Sequence, residues 1–298
     1  MELPSIFEWK VIASKSEWEK VVKFLNKNYL CNEYEKLQYT EEIIKWSLGS
    51  KGFILSFIAK SNGNICGVIG FGFKTLTVMK IQKETILFDY LCLHPKYRGT
   101  NLINLLKLKA ESLMCGLSAF STTMTTIQKP ISIISFYDRI LNKIPISKVS
   151  TRLSTLIDIP EILKLQLLWL PQFKIYCTYD AETFINTQSH YTYVILKDDI
   201  VVDFLSFYFL NVILEGQPII RSYLLTYTAF TVTPKEILDL YFSLCSQLKV
   251  SIANVTNSMG LSKYIGPEFY SSGQLNFNLH KWDVEEDIDS NDISWMTV

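Results

Sequence analysis

The chain has 298 residues, 48% of them apolar and 13% aromatic, with 29 basic and 29 acidic side chains. That composition excludes disorder as the general state, and its length suggests about two compact domains. A net charge of zero argues against a nucleic-acid partner, which normally meets a basic surplus.

In chain order, Ser16 and Glu19 have the spacing of a capping box. Trp18, Val21, Val22 and Leu25 then recur at helical intervals, which predicts a first helix. A short helix is predicted over 40–48, and strands over 53–59 and 66–73 around a polar Asn-Gly turn. A strand over 86–93 runs into His94 and Pro95. A helix carrying Leu102, Leu105, Leu106 and Leu113 follows, with Gly116 placed to end it, and a Ser/Thr-rich strand is predicted over 118–126.

The second half repeats this order at an offset of about 145 residues. Asp158 and Glu161 are read as the cap of a helix carrying Ile162, Leu165 and Trp169, with Pro160 tolerated in its first turn. A short helix near 180–187 and strands over 193–196, 201–209 and 219–230 follow. Thr233 and Pro234 then open a helix carrying Ile237, Leu240, Tyr241 and Leu244, and a strand is predicted over 250–256. The fold class is therefore α/β, a duplicated mixed unit with halves 1–150 and 151–298; two unrelated α/β domains are the alternative.

Cys31, Cys66, Cys92, Cys115, Cys177 and Cys245 form no CxxC pair, and His94, His190 and His280 have no metal-ligand spacing, so no metal is expected. His94 and Ser206 read as structural groups. Hydrolase, kinase and dinucleotide motifs are absent. The opening residues lack a signal-peptide pattern and no apolar run is long enough for a transmembrane helix, so a soluble, cytoplasmic chain is expected.

The most informative stretch is 91–103, where a strand, a tight turn and a helix N-terminus would present unpaired N–H groups to an anion, with Arg98 beside them. An ordinary turn that needs Gly99 for its backbone angles is the alternative. Tyr97-Arg98-Gly99 in this setting resembles the acyl-CoA-binding turn of GCN5-related N-acetyltransferases, although Asn101 and Ile103 replace two of that family's glycines.

A narrower resemblance covers nearly the whole chain. Leu87 to Pro95 resembles the signature of glycylpeptide N-tetradecanoyltransferases, the N-myristoyltransferases. Further matches are Leu3-Pro4, Asn28-Tyr29-Leu30, Lys129-Pro130-Ile131, Phe136 to Arg139, Asp203 to Tyr208, Gly273 with Leu275, and Trp282. The resemblance implies a tandem acetyltransferase-like fold with one continuous mixed sheet flanked by helices. The first half would bind myristoyl-CoA, a co-substrate and not a resident cofactor. The second would bind peptide.

It further implies that the backbone amides of Tyr90 and Leu91 form an oxyanion hole and that Thr122 lies beside the reacting amine. Tyr29, Leu30, Leu91, Cys92 and Leu93 would contact acyl-CoA, with its phosphates over Arg98, Gly99, Thr100, Asn101, Leu102 and Ile103. The peptide groove would draw on Phe136, Tyr227, Asn254, Gly273 and Leu275. The base would be the terminal carboxylate, on Val298. The apolar ending after an acidic run from Asp283 to Asp292 independently suggests that the tail docks.

Departures from the family pattern are Asp89 for an Asn, Asp138 for a His, Ser272 for an acidic peptide contact, and Val212 for a Ser. Asp89 would place negative charge next to the oxyanion hole, so it is expected to be paired or turned away. The expected activity is transfer of myristate to the α-amine of an N-terminal glycine by direct attack, in a monomer. Another acyl-CoA-dependent N-acyltransferase, with a different acyl chain or a lysine acceptor, and a silent acyl-CoA or lipopeptide binder are the alternatives.

Overall fold

The computed structural model describes residues 3–29, 34–113, 116–123, 129–142, 144, 146–284 and 286–294. The first half contains β1 (Phe7–Val11), α1 (Lys15–Asn28), β2 (Glu35–Gln38), α2 (Glu41–Leu48), β3 (Phe53–Ala59), β4 (Ile65–Val78), β5 (Ile81–Leu93), α3 (Leu102–Leu113), β6 (Ser118–Thr123) and β7 (Ser132–Ile140). The second contains β8 (Thr151–Leu153), α4 (Ile159–Trp169), β9 (Ile175–Thr178), β10 (His190–Lys197), β11 (Ile200–Leu214), β12 (Gln217–Tyr227), α5 (Pro234–Gln247), β13 (Ile252–Thr256), β14 (Tyr270–His280) and β15 (Ile293–Ser294).

These strands form one mixed sheet in the order β1-β3-β4-β5-β6-β14-β7-β13-β12-β11-β10-β8. The order reads as a palindrome of the two halves. Parallel pairs β5–β6 and β12–β13 occupy equivalent places, each joined by a helix, and β7 and β14 are exchanged between the halves. The same reciprocity holds away from the main path, where β2 pairs β11 and β9 pairs β4. The chain is thus a duplicated unit interleaved into one body. The main core confirms the interleaving, since Leu25, Ile44 and Val68 from one half pack in the same cluster as Ile162, Phe184 and Tyr208 from the other.

The helices form because each has an apolar stripe and a start signal. In α1, Trp18, Val21, Phe24 and Leu25 face inward. Its capping box uses Ser14 and Glu17, not Ser16 and Glu19: Glu17 Oε2 accepts from the N–H of Ser14 at 2.9 Å, and Oε1 meets Lys10 at 2.6 Å. Both serines have the right spacing to a glutamate, and the earlier one adds two residues of helix plus that extra partner. The reading of Asp158 and Glu161 as a cap is also corrected. Asp158 instead closes a box with Thr155 around a single 3₁₀ turn, where Arg152 holds it through hydrogen bonds of 2.7 and 2.8 Å. The short helix predicted over 180–187 is a 3₁₀ turn, Ala181–Phe184. Among the described residues, no helix is long and apolar enough to cross a membrane.

Candidate active site

The site is built where β5 and β6 separate. They pair in parallel only at 85–88 against 118–121. Beyond that point β6 continues against β14, with Thr122 opposite Phe277, while β5 stays with β4. A crevice at the carboxyl ends of diverging parallel strands is where open α/β sheets bind ligands. Asp89, Tyr90, Leu91, Cys92 and Leu93 lie on one side of it and Thr122 on the other.

Within the crevice, β5 carries a bulge. Val68 faces Cys92 and Gly70 faces Asp89, so Ile69 stands opposite two residues, Tyr90 and Leu91. Such a bulge takes the backbone of the extra residue out of the ladder. Tyr90 accordingly adopts φ +52°, a conformation that costs a bulky side chain energy and marks a site held by its surroundings. The support is visible: the Tyr90 ring is fully buried, and its hydroxyl hydrogen-bonds Ser47 Oγ at 2.8 Å. Gly70 leaves room for the turn. A Cβ there would lie 3.0 Å from the Tyr90 ring and 3.2 Å from the Asp89 carbonyl oxygen.

Asp89 is paired, as expected, but not turned away. The backbone N–H of Tyr90 donates to Asp89 Oδ1 at 2.7 Å, and Tyr29 Oη donates to the same oxygen at 3.3 Å. Tyr29, Tyr39 and Tyr90 form a ring cluster with centroids 5.5 to 5.9 Å apart. Burial first, and then the Asp89 charge among other neighbours, hold the Tyr29 hydroxyl well above the ordinary tyrosine range. Leu30 and Val298 lie outside the described residues.

The turn after β5 is a 3₁₀ segment, Pro95–Tyr97, capped by His94, whose Nδ1 accepts from the Lys96 N–H at 3.2 Å; this is the structural role foreseen for His94. Gly99 takes φ +75°, and Arg98, Gly99, Thr100 and Asn101 are exposed ahead of α3, with Leu102 buried and Ile103 half-buried. The Arg98 guanidinium donates to the Asn28 carbonyl at 2.6 Å and to the Leu93 carbonyl at 3.3 Å. It therefore ties the turn to the C-terminal end of α1 while leaving other N–H groups for an anion. Burial pushes the Cys92 thiol up to about 12 despite Arg98 nearby, which makes it a poor nucleophile.

The candidate acceptor groove falls on β7, β13 and β14. Phe136 pairs with Gly273 and Thr256, and Leu275 is half-buried one turn of pleat further along β14. Asn254 Nδ2 donates to Asp138 Oδ1 at 2.7 Å and to Ser272 Oγ at 3.1 Å. Asp138 also lies 3.1 Å from Arg221 Nη2, and Arg221 forks onto Glu35. Sequence reasoning did not single out Glu35, Tyr39 or Arg221. The partners of Glu35 and Arg221 lie far away in the chain, and no local pattern marks Tyr39. Tyr227 is buried in the second half's own core, its hydroxyl donating to the Met259 carbonyl at 2.6 Å. Val212 is buried in β11 opposite Leu37 of β2.

The equivalent strands of the second half separate in the same way. Strands β12 and β13 pair only at 221–223 against 252–254. The loop before α5 gives the N–H groups of Phe230 and Thr231 to the Asp203 carboxylate, each at 2.8 Å, and the hydroxyls of Thr228 and Thr231 do the same. A carboxylate of the chain itself occupies the donors that would otherwise face an anion. Ser206 and His190 have nucleophile–base spacing, 2.7 Å, yet both are fully buried, so the pair serves the core.

The tail docks as far as it is described. Strand β15 pairs with β9, Ile288 and Ile293 are buried, and the N–H of Met259 donates to the Ile293 carbonyl at 2.9 Å. Acidic tail residues meet lysines, Asp287 with Lys129 at 2.7 Å and Asp292 with Lys174 at 3.5 Å.

Residues 1–131 match the family model described as the N-terminal domain of myristoyl-CoA:protein N-myristoyltransferase. A Caenorhabditis elegans protein named as a probable glycylpeptide N-tetradecanoyltransferase is 22% identical over 334 positions, which cover 94% of this chain and 74% of that one. The Saccharomyces cerevisiae N-myristoyltransferase solved with bound myristoyl-CoA has a TM-score of 0.88 at 19% identity, covering 100% of this chain and 91% of that one. A GCN5-related N-acetyltransferase from Anabaena variabilis has a TM-score of 0.56 at 11% identity, covering 92% and 72%. These likenesses establish a shared fold.

Proposed function

We infer that a chain whose N-terminal part matches the N-myristoyltransferase model, and whose fold is that of a solved member, belongs to that family. It transfers myristate from myristoyl-CoA to the α-amine of an N-terminal glycine. The observation that carries the reading is the bulge at Tyr90 and Leu91, set in the crevice between β5 and β6 and next to the turn that precedes α3. In this reading the thioester carbonyl meets the N–H groups of Tyr90 and Leu91. One fixed donor of this kind is worth roughly 3–4 kcal/mol of barrier. The phosphates of CoA lie over the exposed 98–101 turn and the N-terminus of α3, and Arg98 supplies charge there.

The acceptor enters from the β7, β13 and β14 side, along Phe136, Asn254, Gly273 and Leu275, toward Thr122. An α-amine has a pKa near 8, so neutralising it at pH 7 costs only about 1 kcal/mol. A positioned base then adds on the order of 10²–10⁴ in rate. The docked path of the tail through Ile293 supports the terminal carboxylate of Val298 as that base. The high pKa of Cys92 favours direct attack over an acyl-enzyme. Asp203, seated on the equivalent donors of the second half, accounts for one acyl-CoA site in a duplicated fold.

The test is mass spectrometry of the chain mixed with myristoyl-CoA and a peptide beginning Gly-x-x-x-Ser, alongside the same peptide with an acetylated N-terminus. A myristoyl adduct on the free-amine peptide alone supports the reading, and removal of Val298 should then depress turnover. Binding of myristoyl-CoA without an adduct on either peptide would replace the transferase with a silent acyl-CoA binder. An adduct on an internal lysine would replace the acceptor.

A further inference from the structure

The oxyanion donors proposed above include the N–H of Tyr90, and that N–H is already in use. It donates to Asp89 Oδ1 at 2.7 Å, within the range of a charge-assisted hydrogen bond. Asp89 is 93% buried, so water competes little for its carboxylate. A developing thioester oxyanion would therefore meet an occupied donor and a negative charge beside it.

A second observation bears on where that carboxylate moves. Tyr39 is 98% buried, and its hydroxyl has no hydrogen-bond partner among the described residues. Its ring stands 5.9 Å from that of Tyr29, which already donates to Asp89, and 5.5 Å from that of Tyr90. A buried hydroxyl without a partner is destabilising, and a newly arrived carboxylate would relieve that cost.

We propose that Asp89 is a positioning residue that gates the oxyanion hole. At rest its carboxylate holds the Tyr90 N–H, and acyl transfer requires it to move toward the hydroxyls of Tyr29 and Tyr39. The proposal rests on the reading of Tyr90 and Leu91 as the oxyanion donors. Asp89 makes no bond to the acyl group and takes no proton. It acts by holding the Tyr90 N–H and by placing its charge beside the developing oxyanion.

Three variants test it, Asp89→Asn, Tyr39→Phe and the two combined, each with myristoyl-CoA carrying ¹³C at the thioester carbonyl. The neutral amide keeps the shape but weakens the hold on Tyr90 and removes the charge. Infrared spectra of the bound thioester should show its carbonyl stretch at lower wavenumber in Asp89→Asn than in the unaltered protein. The kcat for a glycyl peptide should rise on the order of tenfold to a hundredfold, with KM for the peptide little changed. Tyr39→Phe should lower kcat severalfold in the unaltered background and have little effect in the Asp89→Asn background. Equal carbonyl frequencies in the two proteins, both shifted from free myristoyl-CoA, would overturn the role of Asp89 and leave the oxyanion hole standing. A fall in kcat for Asp89→Asn would overturn it too, since Asp89 would then assist the reaction directly. A carbonyl unshifted from free myristoyl-CoA in every variant would remove the oxyanion-hole reading and the gate with it.

Discussion

Glu35 and Arg221 are 186 positions apart in the chain and meet through two hydrogen bonds, 2.7 and 3.0 Å long, one to each carboxylate oxygen. Strand β2, from the first half, delivers Glu35 to the edge of β11, and β12 carries Arg221 beside it. Arg221 also neutralises Asp138, whose carboxyl burial would otherwise push further up, so one guanidinium serves carboxylates from two elements. Replacing Arg221 with Met leaves Asp138, 1% exposed, without its cation. The expected loss is about 3–5 kcal/mol, measured by urea unfolding. Glu35→Gln keeps the Asp138 contact and should cost clearly less.

Gly70 tests the bulge without touching any donor. A methyl group at this position meets the Asp89 carbonyl at 3.2 Å, and that atom is backbone in the bulge itself. Gly70→Ala should cost about 1–3 kcal/mol of stability as an overpacking change. It should lower acyl transfer at saturating myristoyl-CoA more than it lowers binding of myristoyl-CoA, because the turn proposed for the phosphates lies beyond the strand. Titration of myristoyl-CoA binding beside single-turnover transfer separates the two effects.

These tests bear on features of unequal visibility in the sequence. The strand–turn–helix over β5 and α3 is legible because an apolar run, a Pro–Gly turn and a leucine stripe follow one another locally. The duplication is legible as a repeated order of such elements. Strands β7 and β14 were missing from the predicted elements although they form the centre of the sheet. Their partners are each other and strands over a hundred residues away, and the polar Ser271 and Ser272 beside Gly273 mask any alternation. The Arg221 cluster likewise depends on pairing between halves, since its carboxylates come from Glu35 and Asp138. Asp89 is expected to be paired or turned away, and it is paired; its partner, the next backbone N–H, depends on the side-chain rotamer of Asp89 within the bulge, which composition does not reveal.

Asp203 sits on the second half's counterpart of the turn before α3. It is fully buried and accepts four hydrogen bonds from the 228–231 loop. Asp203→Ala strands those donors and should destabilise the protein on the order of 4 kcal/mol, read from thermal or urea unfolding. Affinity for myristoyl-CoA, measured below the new unfolding midpoint, should stay within about twofold of its original value, since the first crevice shares none of these groups. A second equivalent of bound myristoyl-CoA in this variant would mean that Asp203 alone excludes ligand from the second half.

His190 sets an acid limit on stability. Its ring is fully buried, lies 4.7 Å from the Trp46 ring centroid, and hydrogen-bonds Ser206 Oγ at 2.7 Å. Burial lowers its pKa to about 4, against 6.5 for the exposed side chain. Above pH 6.5 the imidazole is neutral in both the folded and unfolded chains, and this group adds no pH dependence. Between pH 6.5 and about 4 the unfolded chain binds a proton that the folded chain does not, so folding stability falls as the pH falls, and the loss levels off below about 4. The full loss from this group is about 3 kcal/mol. Urea midpoints collected from pH 8 to pH 4.5 should therefore decline in the unaltered protein, and His190→Gln, which keeps a hydrogen-bonding side chain without a titrating ring, should flatten the decline. A decline of equal steepness in the variant would show that His190 does not set the acid limit.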